Sequence, residues 1–533
     1  MKRLILCSAT GLAALFAGCI ENDLPYPVVE IAIEAIEAEG LDGEPVISAA
    51  QQSVTLPLAE TADIRNVRIT SVSLTEGGQS SVAFPGTFDL RTPLYTTLSL
   101  YQEYGWSIAV TQHIDRRFRV RKQVGAAEID VANRTATAYV SRSTDLKNVE
   151  VTELKLGPAG ITTYTPAIAG MTSFETVRLV DVAAHGRTEQ WRLHVVPIDV
   201  AVRITQCDAW ARIAWLAADG LSDTEMGFVY RRKGDTEWLT VDDVETEGGT
   251  FRAKLAGLTP ETTYEVQAFS DTDRSDVREF TTEAAPQPLN AGFETWSTDR
   301  SGILYPYAAD AAPAQRYWST GNAGSMTLNK LVTTNVEEPR PGSDGRYCAQ
   351  LRSQYVSLLG VGKFAAGNLF TGHYAETKGT DGVVQFGQPF TSRPVALRGW
   401  VKYNRGKMDH IKGMPAGANL VKGDPDEGII YMALGRWTAA EYGGTEQSPV
   451  QIFTRDTKTF FDPKGKDVIA YGEATFGSSV DEWREFTVRL DYTATDIAPT
   501  HLIVVCSASR YGDYFTGSSD SVMWVDDFEL IYE

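Results

Sequence analysis

Hydrophobic and polar residues alternate along most of this chain with the period of two that a half-buried β-strand requires. The clearest alternating runs are Phe486, Val488, Leu490 and Tyr492, and then Phe528, Leu530 and Tyr532. No long stretch holds the 3.6-residue period of an amphipathic helix. The pattern therefore predicts an all-β protein, and 533 residues are enough for several domains.

One alternating segment occurs twice. The twelve letters DIRNVRITSVSL begin at Asp63, and the similar DLKNVEVTELKL begin at Asp145. Each copy continues to an alternating strand that begins with a tryptophan, Trp106 in the first and Trp191 in the second. The offset is roughly that of one small sandwich domain. We therefore predict two Ig-like β-sandwich repeats, at 25–113 and 114–197.

The next segment contains LAGLTPETTYEVQA, which begins at Leu255 and places Tyr264 after a turn. This L-x-G-L-x-P-x-T-x-Y pattern resembles fibronectin type III domains, in which the tyrosine packs in the core. The resemblance covers 198–283 and implies a spacer without chemistry of its own. Residues 284–288, AAPQP, are a predicted linker.

The remaining residues, 289–533, are too many for one small sandwich, and they predict a large jelly-roll-like antiparallel sandwich with long loops. The opening NAGFETW and the closing WVDDFELIY resemble jelly-roll carbohydrate-binding modules. With GKFAAGNLFTG, FGQPFTSRP and LRGWVKY, they make segment 290–533 resemble the C-terminal putative carbohydrate metabolism domain of Bacteroidetes surface lipoproteins. The resemblance implies a sandwich used in glycan metabolism.

Strand parity places Asp526 on the same side as Trp524, Phe528 and Leu530, which is predicted to be the apolar side. A buried carboxylate needs a partner. The resemblance to carbohydrate-binding modules implies that Glu294 and Asp526, with Asp527 as an alternate, hold a structural Ca²⁺. Alternatively, Asp526 accepts backbone N–H groups or pairs with an arginine.

The first residues direct the chain to a compartment. Lys2 and Arg3 precede a short apolar run, which is typical of a signal peptide over 1–18. Ala17-Gly18-Cys19 resembles the lipobox of bacterial lipoproteins, which implies lipidation of Cys19. The acidic tether 19–24 resembles a surface-export signal, or it is a solvated linker. The predicted location is the outer membrane, anchored by lipid and exposed at the cell surface; the alternative is an ordinary secreted protein.

The net charge limits the classes of binding partner, and the cysteine count limits the disulfides. The formal net charge of -20 argues against nucleic acid. Of five cysteines, Cys207, Cys348 and Cys506 lie beyond the predicted leader and anchor. Cys348 and Cys506 either form one disulfide or stay as buried free thiols.

The stretch GVGKFAAGNLFTGHY, which begins at Gly360, suggests a phosphate loop. It lacks the G-x-x-x-x-G-K-[ST] spacing and a βαβ context, so no nucleotide is predicted. We favour an interpretation in which its glycines serve turns and bulges while its apolar residues enter the core. In the alternative, Asn368, His373 and Tyr374 face a glycan.

A better sugar platform is the loop RYGDYFTG, which begins at Arg510. Arg510, Tyr511, Asp513 and Tyr514 gather aromatic rings and charges in one polar, glycine-flanked loop. The alternative is a loop that folds back into a small core of its own. Trp437 is a weaker candidate of the same kind.

The last domain is also rich in carboxylates, among them Asp409, the DPDE stretch that ends at Glu427, and Glu473. No nucleophile or zinc motif accompanies them. We therefore predict a non-catalytic lipoprotein that binds a poly- or oligosaccharide. One alternative is a glycoside hydrolase or lyase that uses these carboxylates. Another is an adhesin or structural subunit of a surface assembly.

Overall fold

The computed structural model describes residues 31–49, 51–100, 102–199, 202–358, 361–415 and 417–533. The predicted signal peptide, the acidic tether and Cys19 lie outside these residues. Within them, strands dominate, and the α-helices are the four-residue α1 (Asn322–Ser325) and α2 (Ala439–Tyr442). The all-β prediction is confirmed. None of the described helices has the length and hydrophobicity that crossing a membrane requires.

The chain divides into two compact units. The first contains the residues up to Phe118 together with Glu128–Thr137 and Glu150–His194. The second contains Arg119–Ala127, Ala138–Val149 and Val195–Glu533.

Residues 31–112 form two sheets around one core. The strands are β1 (Ile33–Ala38), β2 (Val46–Ser48), β3 (Ser53–Leu58), β4 (Val67–Leu74), β5 (Gln79–Ser80), β6 (Gly86–Phe88), β7 (Leu94–Ser99) and β8 (Glu103–Gln112). One sheet has the order β1-β4-β6 and the other the order β2-β3-β8-β7-β5, with β3 and β8 parallel. Alternate residues meet in a core that contains Leu56, Ile69 and Trp106.

Residues of the second predicted repeat form seven strands. They are β9 (Arg117–Val120), β10 (Glu128–Asp130), β11 (Thr135–Ser141), β12 (Val151–Lys155), β13 (Thr163–Thr165), β14 (Arg178–Ala184) and β15 (Arg187–Ile198). β10 pairs with β11, and β14 pairs with both β13 and β15. Trp191 and Leu193 are buried on β15, as the alternation predicted.

The repeated sequence motif forms the same turn in both copies. Asp63 Oδ1 accepts the N–H of Arg65 at 3.1 Å, and Asp145 Oδ1 accepts that of Lys147 at 3.0 Å. In each copy the asparagine three residues after the aspartate donates its N–H to the aspartate carbonyl. The similarity between the copies therefore includes an Asx turn that leads towards a strand. Their Ig-like classification stays a prediction.

The fibronectin-like segment is also a two-sheet structure. Its strands are β16 (Arg203–Ala209), β17 (Ala214–Asp219), β18 (Met226–Arg232), β19 (Leu239–Thr240), β20 (Glu245–Glu247), β21 (Thr250–Leu255), β22 (Thr263–Ser270), β23 (Asp273–Arg274) and β24 (Arg278–Thr281). The orders are β16-β17-β21-β20 and β19-β18-β22-β23, with β24 beside β22. Tyr264 is buried, and its hydroxyl accepts the N–H of Thr259 at 3.0 Å, which closes the predicted turn onto the core.

The last domain contains the remaining strands. They are β25 (Ser297–Thr298), β26 (Leu304–Tyr305), β27 (Trp318–Ser319), β28 (Thr333–Val336), β29 (Cys348–Arg352), β30 (Gln354–Leu358), β31 (Val361–Ala365), β32 (Asn368–Lys378), β33 (Asp381–Phe386), β34 (Gln388–Pro389), β35 (Ala396–Asn404), β36 (Gly428–Gly435), β37 (Val450–Phe453), β38 (Val468–Phe476), β39 (Val480–Arg489), β40 (Asp491–Tyr492), β41 (His501–Ser507) and β42 (Val522–Ile531).

Two large antiparallel sheets and two two-stranded sheets, β25-β26 and β30-β31, build the described part of this domain. The five-stranded sheet has the order β28-β29-β42-β35-β39. The nine-stranded sheet has the order β37-β33-β32-β41-β36-β38-β40, with β27 beside β32 and β34 beside β41. The main core contains residues of both sheets, among them Leu397, Met432 and Val525. A second apolar cluster, which includes Phe370, Trp437 and Ile503, also draws on the nine-stranded sheet.

The alternation in β42 differs from the predicted parity. Met523 and Val525 are in the main core, and so are Phe528 and Leu530, so the core-facing parity changes between them. The register with β35 shifts at this point, and Asp527 has a φ of 44°. This β-bulge takes Trp524 off the core side, because an extra residue reverses the alternation. The predicted run from Phe528 is confirmed as a buried face. In the run from Phe486, Phe486, Val488 and Leu490 are buried, but Tyr492 is half-buried and belongs to β40 rather than to the same strand.

The fibronectin-like segment is joined closely to the last domain within the second unit. Arg393 is 7% exposed, donates Nε to Glu283 at 2.8 Å and Nη2 to the carbonyl of Ala209 at 2.8 Å. The Trp210 ring lies 4.5 Å from that of Tyr492. A buried ion pair, a hydrogen bond to a backbone carbonyl and a contact between two aromatic rings thus join the two segments.

The predicted linker is bound rather than free. The Gln287 amide makes two hydrogen bonds with the backbone of Leu530, at 2.8 and 2.7 Å. The Tyr532 hydroxyl donates to the carbonyl of Pro286 at 2.7 Å. Residues 284–288 therefore run along the last strand of the domain that follows.

The three described cysteines, Cys207, Cys348 and Cys506, are all free. Burial raises the pKa of the Cys348 thiol to about 12 and that of Cys207 to about 11. Of the two alternatives for Cys348 and Cys506, the structure shows free thiols.

Candidate functional site

Three long connections cross between the two sheets at one end of the last domain. Segments 353–367, 405–427 and 508–521 follow β29, β35 and β41, respectively. Arg352 and Asn404 both pair with Val522, the first residue of β42, while Ser507 pairs with both Asn368 and Ile429. The register therefore places all three connections at the same end, which we call the crossover end.

A buried carboxylate anchors this end. Asp426 is 0% exposed, and its Oδ2 accepts Ser509 Oγ at 2.6 Å, Ser518 N at 2.8 Å and Ser521 Oγ at 2.8 Å. Burial raises the pKa of Asp426, and these hydrogen bonds oppose the rise. Three donors from one loop thus converge on a single side chain of another, which satisfies a costly buried charge.

A second contact joins the same two segments. The hydroxyl of buried Thr516 accepts the N–H of Lys412 at 3.1 Å and donates to the carbonyl of Gly413 at 2.6 Å. Asp409 Oδ1 accepts the N–H of Ser519 at 3.0 Å. The loop that contains the predicted sugar platform is therefore held at several points along its length.

The platform itself is a single 3₁₀ turn, Gly512–Tyr514, within residues 510–515, which we call the Tyr511 loop. Tyr511 and Tyr514 are half-buried, and Asp513 is exposed. The Tyr514 ring meets Phe460 edge-on, with ring centres 4.9 Å apart. Burial raises the pKa of Tyr514, and neighbouring Asp513 adds to the rise. The loop therefore presents two partly open rings and a carboxylate.

Arg510, the first residue of the Tyr511 loop, pairs with two carboxylates. Its Nη1 donates to Glu427 at 3.1 Å and its Nη2 to Glu473 at 3.2 Å. Glu473 also accepts the hydroxyl of Tyr471 at 2.6 Å. Burial and the Glu473 hydrogen bond raise the pKa of that hydroxyl well above its usual range. The guanidinium is thus occupied by protein carboxylates.

Phe515 is the third aromatic residue of this loop, and cations cover it. Lys363 Nζ lies 3.4 Å from the ring centre, and Lys412 Nζ lies 4.9 Å from it. Lys363 also pairs with Asp381, and burial lowers the pKa of Lys363. The alternative of a loop that folds back into a small core therefore applies to Phe515. The rings of Tyr511 and Tyr514 remain partly exposed.

Sequence reasoning missed an aromatic group beside Arg510. Tyr431 stacks on Phe461 with ring centres 5.6 Å apart and an angle of 11°, and Tyr471 lies 5.9 Å from Tyr431. All three rings are half-buried and pack against the second apolar cluster. Tyr431 is one residue of the apolar run GIIYMALG, so no local pattern marks it as different from its buried neighbours.

The glycine-rich stretch contributes mainly packing. Phe364, Leu369 and Phe370 are buried, as the favoured interpretation requires. A Cβ on Gly367 would collide with the backbone of Leu351 and Arg352. The glycine therefore permits two backbones to pass closely.

The polar residues of that stretch bind the protein itself. Asn368 Oδ1 accepts the N–H of Gly321 at 2.7 Å. The Tyr374 hydroxyl shares a hydrogen bond with Thr377 at 2.8 Å, and burial raises its pKa. His373 is half-buried, which lowers its pKa. These hydrogen bonds of Asn368 and Tyr374 are made to residues outside the Tyr511 loop.

Trp437 is 3% exposed and packs against Phe461, with ring centres 6.0 Å apart. It belongs to the second apolar cluster. Its ring face is consequently covered by protein.

The carboxylates assigned to Ca²⁺ have protein donors. Asp526 is 0% exposed, and its Oδ2 accepts the backbone N–H of Arg340 at 2.8 Å. Asp527 Oδ2 accepts Arg340 Nε at 2.6 Å. Burial raises the pKa of Asp526 to about 6, and nearby Asp527 and Glu294 add to the rise.

Glu294 accepts two backbone N–H groups, from Arg346 at 2.8 Å and Tyr347 at 3.0 Å. In the part of the chain that the structure describes, no three His, Cys, Asp or Glu side chains are arranged to hold a metal ion. The Asp526 contact matches the alternative of backbone donors, while the arginine side chain pairs with Asp527, and the Ca²⁺ site stays a prediction.

The other candidate acids also have partners. Glu427 and Glu473 share Arg510, and Asp424 accepts the N–H of Val421 at 2.8 Å. Asp426 is enclosed. A glycosidase needs one carboxyl that donates a proton and one that stays ionised, both facing substrate. The described pairings hold Glu427 and Glu473 to a cation instead.

Comparison with known proteins identifies the type of the C-terminal domain. Residues 292–531 match the family model of the putative carbohydrate metabolism domain, PCMD. The C-terminal region is therefore a carbohydrate-metabolism-related domain, as its resemblance implied. A search of curated proteins gave no match.

Two solved structures from Bacteroides are similar to the chain. One, described as a putative glycoside hydrolase from Bacteroides thetaiotaomicron, shares 15% identity over 96% of this chain and 98% of that chain, with a TM-score of 0.31. The other, described in the same words and from Bacteroides vulgatus, shares 21% identity over 45% of this chain and 97% of that chain, with a TM-score of 0.33.

Proposed function

We propose that the last domain binds a glycan at its crossover end, within a lipoprotein that is anchored in the outer membrane and exposed at the cell surface. One observation carries the binding proposal. The Tyr511 loop presents two half-open tyrosine rings and an exposed carboxylate, and Asp426 holds the surrounding segment in place.

This arrangement suits a saccharide for physical reasons. Sugar rings have C–H faces that stack on aromatic rings, and their hydroxyl groups donate to carboxylates. Tyr511 and Tyr514 supply the rings, and Asp513 supplies the acceptor. Because the loop is anchored before the ligand arrives, little conformational entropy is lost on binding.

Binding is favoured over hydrolysis because of Arg510. It pairs with both Glu427 and Glu473, at 3.1 and 3.2 Å, so each of these carboxylates contacts a protein cation. A glycosidase instead needs two carboxyl groups that face the substrate.

The membrane anchor is proposed from Ala17-Gly18-Cys19 and the apolar run before it. The test is partition of the expressed full-length protein between water and a detergent phase. The wild type should enter the detergent phase, and Cys19→Ser should not. Cys7→Ser is the matched control, because Cys7 lies inside the predicted leader. Equal partition of wild type and Cys19→Ser would contradict lipidation.

Glycan binding is tested by native affinity electrophoresis of the chain without residues 1–18, in gels cast with neutral polysaccharides. Retardation by one glycan should weaken roughly three- to tenfold in Tyr511→Ala and in Tyr514→Ala, the range that a stacking contact contributes. Tyr95→Ala is the control, because Tyr95 is 73% exposed and lies in the first unit.

Three outcomes separate the alternatives. Retardation that both tyrosine variants weaken and the control keeps supports the proposal. Release of reducing sugar from the retarding glycan would replace it with a hydrolase. Absence of retardation by every polysaccharide would overturn it.

A further inference from the structure

A separate cavity of about 580 Å³ lies on the five-stranded sheet side of the last domain. Its side chains come from the last residue of β29, the end of β35 with the residues after it, and the start of β42. They include Arg352, Asn404, Arg405, Lys407, Asp520 and Trp524. None of them belongs to the Tyr511 loop.

The cavity concentrates positive charge in an acidic protein. Arg352, Arg405 and Lys407 face a single carboxylate, Asp520, in a chain whose formal net charge is -20. All three cations are exposed. Among the residues that the structure describes, no carboxylate oxygen lies within 4.0 Å of any of them. Their charge is therefore available to a ligand.

Backbone contacts hold one of these cations in position. Arg405 Nη1 donates to the carbonyl of Gly477, and the Arg405 N–H donates to Ser479 Oγ at 3.1 Å. One guanidinium edge is used in this way, which leaves the remaining N–H donors for an anion.

The cavity also has an aromatic wall. Trp524 is half-buried and points away from the main core because of the bulge in β42. Lys402 Nζ lies 5.0 Å from its ring centre. Its Nε1 is buried and has no hydrogen-bond partner among the described residues. A ring wall and free cations in one concave site are complementary to a cyclic anion.

We propose that this cavity binds an acidic sugar residue of a glycan, one that carries a carboxylate or a sulfate ester. The anionic group pairs with Arg352, Arg405 and Lys407, while the ring packs against Trp524 and a hydroxyl donates to Asp520. The volume lies within the range of small-molecule sites. The proposal goes beyond glycan binding at the Tyr511 loop, since it uses different residues and a different ligand chemistry.

The test is isothermal titration of the chain without residues 1–18 with three probes: a galacturonic acid oligosaccharide, its methyl ester and a sulfated galactose oligosaccharide. The acidic probes should bind, and their dissociation constants should rise with salt concentration. The methyl ester should bind at least tenfold more weakly, because it lacks the charge. The stronger of the two acidic probes identifies the anionic group.

Variants locate the site. Arg405→Ala and Lys407→Ala should each weaken the acidic probe about tenfold, the value of a charge-assisted hydrogen bond. Trp524→Phe should weaken it less, because an aromatic wall remains. Arg398→Ala is the matched control, since Arg398 lies on the same sheet but is paired with Glu529. Tyr511→Ala should leave this binding unchanged even though it weakens neutral-glycan binding.

Several results would overturn the proposal. Equal binding of the methyl ester would remove the role of charge. If inorganic sulfate bound as tightly as the sulfated sugar, the sugar ring would contribute nothing, and the cavity would be a simple anion site. If Arg398→Ala lost as much affinity for the acidic probe as the cavity variants, or if neither acidic probe bound, the cavity would not be an acidic-sugar site.

Discussion

At the scale of single residues, Gly367 shows how closely two strands approach at the crossover end. It lies just before β32, and a Cβ there would collide with the backbone of Leu351 and Arg352. Backbone atoms cannot move aside as a flexible side chain can. This residue is therefore glycine for reasons of space and has no part in holding phosphate.

We expect Gly367→Ala to lower the free energy of unfolding of the last domain by about 1–3 kcal/mol, the usual effect of overpacking. Gly105→Ala is the control, because nothing lies within 4 Å of its would-be Cβ. Urea unfolding followed by tryptophan fluorescence measures both. Equal stability of the two variants would contradict the close approach.

Asp526 is expected to make the free energy of unfolding depend on pH. Its pKa is raised from 3.8 to about 6, so the folded state keeps this proton to a higher pH than the unfolded chain. Its contribution to the free energy of unfolding therefore falls as pH rises from about 4 to about 6. Melting temperatures of the wild type and Asp526→Asn across this window should show a smaller decline in the variant. Parallel curves would contradict the shift.

The same titration tests the predicted Ca²⁺ site. Ligation needs ionised carboxylates, so bound calcium would stabilise the protein above pH 6 and oppose that decline. If Glu294 and Asp526 hold calcium, added Ca²⁺ raises the wild-type melting temperature, and Glu294→Gln loses the effect. An unchanged melting temperature would contradict the calcium site.

At the scale of elements, the order of the Tyr511 loop depends on one side chain outside it. Asp426 accepts hydrogen bonds from Ser509, Ser518 and Ser521, which bracket the loop on both sides. A loop held at both ends keeps its rings oriented without a ligand, which is the physical basis of the proposed affinity.

We expect Asp426→Ala to destabilise the last domain by about 3 kcal/mol, because three buried donors lose their acceptor. Glycan retardation should be lost together with the stability. Asp424→Ala is the control from the same segment, since the Asp424 carboxylate accepts only the exposed N–H of Val421 in the described contacts. Proteolysis should cut near residue 512 in the first variant and not in the second. An intact loop in Asp426→Ala would show that other contacts suffice.

Periodicity predicted the strands well, since the run from Phe528 is buried and so are Phe486, Val488 and Leu490. It failed at Trp524 and Asp526, because an inserted residue reverses the parity and only the pairing with β35 reveals it. The Tyr511 loop was found as a cluster of aromatic residues between turns. Its anchor Asp426 and its neighbour Tyr431 were not assigned these roles, since nothing local indicates which loop will fold against them.

At the scale of the whole second unit, the fibronectin-like segment is bound to the last domain through Arg393. Burial raises the pKa of Glu283, and the Arg393 charge opposes that rise. Removal of the arginine would leave a buried carboxylate unpaired, which is more costly than the loss of a surface pair.

Arg393→Ala should therefore weaken this junction by about 3 kcal/mol. Limited proteolysis should then cut within 284–289, and the radius of gyration from small-angle scattering should increase. Lys254→Ala is the control, because its pair with Glu533 at 3.2 Å is exposed. Similar digestion of both variants would show that the Trp210 and Gln287 contacts hold the junction alone.

The position of β42 has a consequence for biosynthesis. This strand lies inside the five-stranded sheet, with β29 on one side and β35 on the other. A ribosome makes it after every other strand of the domain, so the two halves of that sheet have no common neighbour until residue 531 has been translated. The five-stranded sheet therefore closes only once β42 has been made, and a nascent chain that stops before β42 exposes the edges of two strands to aggregation.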